Sequence, residues 1–315
     1  MFQKIKRNLL LSLAIAALVY LALTIFGDFN SVISSFKEFN WLLLPLLLFL
    51  SYLNYFTRFL KWNYYIKLLC IKIQKKDSFG IFMSGLIMSI TPGKMGELIK
   101  AYLVKQISEE PISRTAPIIL VERLTDFLAL ILLSLIGAFI FNYGKILVIS
   151  LLLFFLLMVF IISSPKIASQ IIGYLSSTKI LKKYFDKMNN AYRSSYLMLR
   201  PLPLVYMILL SVVAWFFECF GFYLILLNFS IDFPLFLAIF IYSFSTIVGA
   251  VSMLPGGLGI TEGSLTFLMI EHNIAKDIAI ASTFIVRVVT LWFAVLIGIL
   301  SVMFYKRRYG SIAFD

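Results

Sequence analysis

The sequence has few of the residues that bind metals or form disulfides. Its 315 residues include two cysteines, Cys70 and Cys219, and one histidine, His272. One cysteine lies near a predicted cytoplasmic loop and the other inside a predicted helix, a pattern that favours neither a disulfide nor a metal pair. His272 lies in a short polar loop, where an ordinary surface residue is a better interpretation than a proton relay. We therefore expect no metal centre, no redox chemistry and no cofactor.

Acidic residues are also scarce, with 15 against 28 lysines and arginines, and the formal net charge is +13. Such an excess can indicate a nucleic-acid partner, but these cations fall in alternate polar loops between apolar runs, as in membrane proteins. The chain is 61% hydrophobic with a mean hydropathy of +0.98, more apolar surface than a soluble core of this size can enclose. The sequence predicts an integral protein of the cytoplasmic membrane with no nucleic-acid partner.

Eight apolar segments are candidates for the membrane domain. Six are uninterrupted and suit one crossing each at about 20 residues per span: residues 9–26, 41–60, 116–141, 146–163, 202–227 and 278–304. The first follows a basic stretch and lacks a small-x-small cleavage site, so we expect a retained helix with a cytoplasmic N-terminus. Two further segments, 79–103 and 234–270, contain Pro-Gly breaks and are either crossings or re-entrant hairpins.

The distribution of loop charges favours hairpins for both interrupted segments. This arrangement places 21 of the 28 lysines and arginines in cytoplasmic loops, including Lys61 and Lys100. If either segment crossed the membrane instead, a strongly basic loop or the C-terminal tail would lie outside, against the positive-inside rule. We predict an all-α membrane protein with six full transmembrane helices and two oppositely oriented re-entrant hairpins. The inverted repeat comprises residues 41–141 and 202–304, helices 9–26 and 146–163 lie outside it, and both termini are cytoplasmic.

The two breaks resemble each other and lie 163 positions apart. The first is Thr91-Pro92-Gly93-Lys94-Met95-Gly96-Glu97 and the second is Leu254-Pro255-Gly256-Gly257-Leu258-Gly259. Matched breaks in two halves of a membrane protein indicate a transporter's binding site, where half-helices begin at membrane depth. In the first, Thr91 is the expected N-cap, Pro92 the first helical residue and Lys94 part of an anion site. In the second, Thr261, Glu262 and Ser264 are the expected caps. The alternative is that proline and glycine only permit tight hairpins.

Ionisable residues in apolar helices are a second indication, because each costs at least about 2.5 kcal/mol to insert. Glu122 and Asp126 are four apart and share a helix face, and Arg123 lies three residues before Asp126 and can reach it. Arg287 and Glu218 lie in the second half. These charges either lock helices together or hold an anionic headgroup, for which arginine is well suited. Arg58, near a helix end, is expected to extend to the interface. The basic stretch 166–200 either contacts anionic lipid or is a plain inner loop.

The candidate lipid-binding residues lie in the two breaks and among these ionisable groups. They are Thr91, Pro92, Gly93, Lys94, Gly96, Glu97, Glu122, Arg123, Asp126, Glu218, Pro255, Gly256, Gly257, Gly259, Thr261, Glu262 and Arg287.

Three motifs carry a resemblance to a known family. They are the first break, the pair Ile112-Ser113-Arg114 and Val121-Glu122-Arg123-Leu124-Thr125-Asp126, and the second break continued by Thr261-Glu262-Gly263. With them, over residues 9–308, the chain resembles the lysylphosphatidylglycerol synthase transmembrane-region family of flippase-like proteins. The resemblance implies lipid translocation. The chain lacks the soluble aminoacyl-transferase domain of the two-part bacterial synthases, so we expect a transporter and no enzyme.

Three hypotheses follow for the function. The first is a flippase for a phospholipid or polyprenyl-linked glycolipid whose headgroup carries phosphate or diphosphate. The second is a non-transporting membrane partner of a separate glycosyltransferase or lipid synthase. The third is a lipid-modifying enzyme with Glu122 and Asp126 as acid and base, although no nucleophile or metal set accompanies them. Membrane lipid is the expected partner of the protein, and a homo-oligomer stays open.

Overall fold

The computed structural model describes residues 2–91, 96–176 and 183–309, and this part of the chain is helical with no β-strand. The first half contains α1 (Phe2–Phe26), α2 (Phe29–Glu38), α3 (Leu44–Leu68), α4 (Lys75–Gly85), α5 (Ile99–Ser108) and α6 (Ile112–Ile140). Three helices follow: α7 (Lys145–Ser163), α8 (Pro165–Ser176) and α9 (Phe185–Met198). The second half contains α10 (Pro201–Asn228), α11 (Leu235–Val251), α12 (Ile260–Glu271), α13 (Lys276–Arg287) and α14 (Phe293–Tyr309).

Several helices in the described residues are long and apolar enough to cross a membrane. Four meet this condition: Trp41–Leu68, Lys145–Ser163, Pro201–Asn228 and Lys276–Tyr305. A fifth results if Ser12–Phe26 and Phe29–Glu38, which meet at 98°, form one span. The predicted span at 116–141 lies in α6, a 29-residue helix that also contains buried charged residues. The protein is therefore an all-α, multi-pass membrane protein, and the finer topology of six spans with re-entrant hairpins stays a prediction.

Both interrupted segments form two helices separated by a break. In the first, α4 continues into the 3₁₀ turn Leu86–Ile90 and the chain resumes as a helix at Ile99. In the second, α11 ends at Val251, the 3₁₀ turn Pro255–Gly257 follows, and α12 begins at Ile260. The two helices of each segment contact each other, which is the local arrangement of a hairpin.

The helices of the two predicted halves pack against each other reciprocally. Helix α3 contacts α10, α4 contacts α14, and α6 contacts α11. Glycines allow close approach at both places: a Cβ at Gly298 of α14 would collide with the backbone of Ile87, in the 3₁₀ turn that continues α4, and a Cβ at Gly137 of α6 with the side chain of Phe240. Each half thus places its last helix against the first hairpin helix of the other, the pattern that a two-fold relation produces.

The two breaks meet in a small apolar cluster formed by Ala16, Ile90, Leu258, Leu291 and Val295. A Cβ on Gly256, whose φ is 60°, would lie 3.5 Å from the Cα of Ile90. The Ser12 hydroxyl of α1 donates to the Ile90 carbonyl at 3.2 Å. Helix α1 therefore covers the junction of the breaks, although it lies outside both predicted repeat halves.

Candidate functional site

Helix α6 places two carboxylates and an arginine at the centre of a buried charge cluster. Glu122 and Asp126 lie one turn apart, so they share a face of the helix. The Lys61 ammonium of α3, only 1% exposed, reaches this face and donates to the Asp126 carboxylate at 2.6 Å. It also donates to the Glu122 carbonyl at 3.0 Å and to the Ser211 hydroxyl at 2.7 Å. Lys61 therefore ties α3 and α10 to α6.

A second buried lysine approaches the same helix from α5. The Lys100 ammonium lies 2.6 Å from the Glu122 carboxylate and 3.4 Å from that of Glu97. It also lies 4.9 Å from the ring centroid of Trp62 and 5.1 Å from that of Phe82, so both rings add cation–π attraction. Carboxylates and aromatic faces together hold this charge away from water.

Arg123 is the most exposed cation of the cluster, with 16% of its side chain exposed. Its guanidinium hydrogen-bonds to the Glu97 carboxylate and lies 3.6 Å from Asp126, as the helix spacing predicted. Its Nε has no hydrogen-bond partner within the described part of the chain. A guanidinium binds phosphate oxygens through the same N–H groups that bind a carboxylate. The unpartnered Nε is buried, so it could donate to a ligand only after the side chains around it move.

Arg58 corrects a prediction. It is buried, lies 3.4 Å from the Asp126 carboxylate and faces the Trp215 ring, instead of extending to the interface. Helix α3 continues to Leu68, so Arg58 lies well inside the helix, where Asp126 and the Trp215 ring are its neighbours. The first cluster thus combines four cations, Arg58, Lys61, Lys100 and Arg123, with three carboxylates, Glu97, Glu122 and Asp126.

The second cluster surrounds Arg287 at the end of α13. The guanidinium donates to the Glu262 carboxylate at 2.6 Å and to the Gly256 carbonyl at 2.6 Å. The other oxygen of Glu262 accepts the Gly259 amide at 2.7 Å. Glu262 is fully buried. Arg287 therefore closes the second break by binding both its backbone and the carboxylate at the start of α12.

The two clusters share one arrangement. Glu97 binds Arg123, which follows it by 26 residues, and Glu262 binds Arg287, which follows it by 25. Each break thus provides a glutamate for the arginine of the next long helix. The two arginines differ in their hydrogen bonds. Arg287 binds both Glu262 and the Gly256 carbonyl, whereas the Nε of Arg123 has no partner among the described residues.

The predicted helix caps require correction at the second break, whereas at the first the predicted helix start at Pro92 lies outside the described residues. Thr91 donates to the Met88 carbonyl at 2.6 Å and accepts the Gly96 amide at 3.0 Å, so its hydroxyl bridges the break, and α5 begins only at Ile99. Helix α12 has Gly259 as its N-cap, with Glu262 accepting the cap amide. Neither Thr261 nor Ser264 is the N-cap. The Thr261 hydroxyl instead occupies space beside Gly249 and Gly257, where a Cβ would collide with it.

The remaining predicted residues divide into two groups. Pro255, Gly256 and Gly257 form the 3₁₀ turn of the second break. Pro92, Gly93 and Lys94 lie outside the described residues, as do residues 177–182 of the basic stretch between α8 and α9. Within the described part of the chain, no group of three His, Cys, Asp or Glu side chains could hold a metal ion.

Glu218 lies apart from both clusters. It is a buried residue of α10, and the Tyr242 hydroxyl of α11 donates to its carboxylate at 2.7 Å. It therefore joins α10 to α11 within the second half.

Lys61 and Lys100 were not predicted as site residues, because the loop-charge count assigned both to cytoplasmic loops. Both are buried, so two of the 21 cations in that count belong to the protein interior. The apolar and aromatic residues that continue after position 60, among them Trp62 and Ile66, were a usable signal that α3 does not end there. Ser211 carried no comparable signal.

Comparisons with known proteins agree with the membrane architecture. Residues 9–298 match the family described as "Lysylphosphatidylglycerol synthase TM region". A UPF0104 membrane protein of Methanocaldococcus jannaschii is 28% identical over 234 residues, covering 70% of this chain and 93% of that protein. One from Methanothermobacter thermautotrophicus is 23% identical over 341 aligned positions, covering 97% and 95%. One from Pyrococcus horikoshii is 24% identical over 269, covering 76% and 79%.

The family match covers most of the chain, including both breaks and both arginine helices. The protein belongs to the lysylphosphatidylglycerol synthase transmembrane-region family.

Proposed function

We propose that the protein is a flippase that moves an anionic lipid across the cytoplasmic membrane, with the headgroup phosphate or diphosphate bound in turn by Arg123 and Arg287. The observation that carries this proposal is the repeated glutamate–arginine pair: Glu97 with Arg123, and Glu262 with Arg287. The family relationship supports a membrane-lipid substrate.

Glu97 and Glu262 can stand in for the headgroup when the site is empty and give way when a headgroup binds. A buried guanidinium without an anion is strongly destabilised, so an empty site needs a carboxylate in the place of the headgroup. A phosphate group can accept a bidentate pair of N–H bonds from arginine, as a carboxylate does. Headgroup binding therefore exchanges one anion for another at Arg123, and Glu97 retains Lys100 as a partner at 3.4 Å.

The packing of the halves supports alternating access. In repeat-built transporters, one half rocks against the other around a site near the bilayer midplane. Here the reciprocal contacts of α4 with α14 and of α6 with α11 surround the two breaks, which touch at Ile90 and Gly256. Rocking along these contacts would expose the headgroup to each leaflet in turn, while the acyl or prenyl chains stay in lipid. We further propose cytoplasmic N- and C-termini.

Transport by the purified protein tests this function. The full chain is reconstituted into vesicles of phosphatidylcholine with a fluorescent phosphatidylglycerol or a radiolabelled polyprenyl-phosphate glycolipid, and accessible label is measured over time. We expect transfer above that of protein-free vesicles, lost in Arg123→Gln and in Arg287→Gln. Arg193→Gln, on the exposed face of α9, is the matched control and should transport normally. Absence of transfer across the lipid panel would refute the proposal.

The alternative function is a non-transporting membrane partner of a glycosyltransferase or lipid synthase. Mutual pairing of the buried charges favours it, because a purely structural core would also satisfy its carboxylates in this way. Affinity purification from the native membrane would then recover a stoichiometric enzyme, and the isolated protein would move no lipid.

A further inference from the structure

The long helix that contains Arg287 is interrupted by a π-helical turn. Residues Val288–Trp292 form this turn between α13 and α14, and the Phe293 amide bonds to the Val288 carbonyl five residues back. The turn follows Arg287 directly. By contrast, α6, which contains Arg123, is α-helical throughout Ile112–Ile140. The two arginines therefore differ in the helix type beside them as well as in their hydrogen bonds.

Two tyrosines from other helices hold the π-turn. The Tyr55 hydroxyl of α3 donates to the Thr290 carbonyl at 2.6 Å, and the Tyr55 side chain is buried. On the other side, the Trp292 indole donates to the Tyr20 hydroxyl of α1 at 2.9 Å. Tyr55 is the more informative of the two, because it connects the first helix of one predicted half to the arginine helix of the other.

The turn controls where Arg287 points. A π-turn contains one residue more than an α-helical turn, so its relaxation shifts the register by one residue and rotates the two sides by about 100° relative to each other. Helix α14 is held by α4 and by the close contact of Gly298 with Ile87. If α13 therefore takes up the rotation, the 2.6 Å bond between the Arg287 Nε and Glu262 breaks. The guanidinium would leave both Glu262 and the Gly256 carbonyl.

We propose that Tyr55 is a positioning residue: by holding the π-turn at 288–292 it keeps Arg287 bound to Glu262, and relaxation of the turn to α-helix frees Arg287 for the lipid headgroup. We call the π-turn held by Tyr55, together with the Arg287–Glu262 bond, the latch. The identity of the ligand rests on the proposed flippase function, but the latch itself can be measured without transport. In the present conformation both arginines bind their glutamates, and the Arg123 side chain is 16% exposed against 10% for Arg287.

Hydrogen–deuterium exchange of the full chain in detergent tests the latch. The Gly259 amide, which bonds to Glu262, and the amides of the π-turn are the reporters. In Tyr55→Phe we expect exchange about 2- to 10-fold faster in residues 254–263 and 286–293, the effect of losing one hydrogen bond. Tyr52→Phe, three residues earlier on α3 and exposed, is the matched control and should leave both segments unchanged.

A second variant tests the π-turn without altering the Tyr55 side chain. Deleting Val288, which is exposed within the turn, removes the extra residue and should accelerate exchange at 254–263. In the vesicle assay, Tyr55→Phe should lower the lipid concentration for half-maximal transport, because Arg287 is released more often. Unchanged exchange at 254–263 in Tyr55→Phe, or acceleration spread evenly over the chain, would overturn the proposal. Wild-type protein that moves no lipid would refute the flippase function and leave the exchange result to judge the latch.

Discussion

Replacing Lys100 by methionine should destabilise the protein far more than replacing Lys61, although both lysines are buried and both bind a carboxylate at 2.6 Å. The difference lies in what each carboxylate keeps. Without Lys61, Asp126 retains Arg58 at 3.4 Å, Arg123 at 3.6 Å and the Ser211 hydroxyl at 3.1 Å. Without Lys100, Glu122 retains no cation within 4.0 Å among the described residues.

Coulomb attraction gives the scale of this difference. At an effective dielectric constant of about 20, a 2.6 Å contact is worth about 6 kcal/mol and contacts of 3.4 and 3.6 Å about 5 kcal/mol each, before desolvation. Asp126 thus keeps more than half of its attraction, whereas Glu122 loses all of it. A buried charge left without its partner costs about 3–5 kcal/mol. At about 2 °C per kcal/mol, Lys100→Met should lower the unfolding temperature by about 6–10 °C.

Thermal unfolding in one detergent, followed by tryptophan fluorescence, is the assay. Lys61→Met should lower the midpoint by less than half as much as Lys100→Met. The double variant Lys100→Met/Glu122→Gln should recover most of the loss, because neither charge then stays buried alone. Equal losses in the two single variants, or additive losses in the double variant, would refute the pairing described for the cluster.

Two further substitutions test the packing of the halves and the link through α10. Gly298→Ala should destabilise the protein by about 1–3 kcal/mol, because the new Cβ meets the backbone of Ile87. Gly263→Ala is the control and should not lower the unfolding midpoint, because its Cβ meets nothing within 4 Å. An equal loss of stability in Gly263→Ala would contradict the importance of the Gly298 contact. Tyr242→Phe should cost about 1.5–3 kcal/mol by removing a donor to a buried carboxylate, and Glu218→Gln should lessen that loss; no change in unfolding temperature for Tyr242→Phe would argue against the 2.7 Å bond.

The membrane class and the position of the breaks were predictable from the sequence, because long apolar runs and Pro-Gly interruptions act locally. Both interrupted segments form helices around breaks that lie near the expected residues. The Arg123–Asp126 contact was also predictable, since three residues on a helix bring side chains together. Such a contact follows from helix geometry once the helix itself is predicted.

The long-range partners were not predictable in the same way. Lys61 and Lys100 were assigned to loops because hydropathy marks a charged residue as the end of an apolar segment. Hydropathy does not show which side chains of other helices the charge contacts. Their burial depends on Asp126 and Glu122 arriving from α6. The pairing of Glu262 with Arg287 likewise needs α12 and α13 to pack against each other. The two bonds to the π-turn from Tyr55 and Tyr20 were also not predictable, because they come from helices distant in sequence.

An experimental structure of the protein in nanodiscs rich in anionic phospholipid would test the central claim most directly. We predict a headgroup phosphate between the breaks, with a phosphate oxygen about 2.7–2.9 Å from a guanidinium nitrogen of Arg123 or Arg287 and the corresponding glutamate displaced. Phosphate density confined to the outer surface of the helices, with both glutamate–arginine pairs intact, would contradict the account.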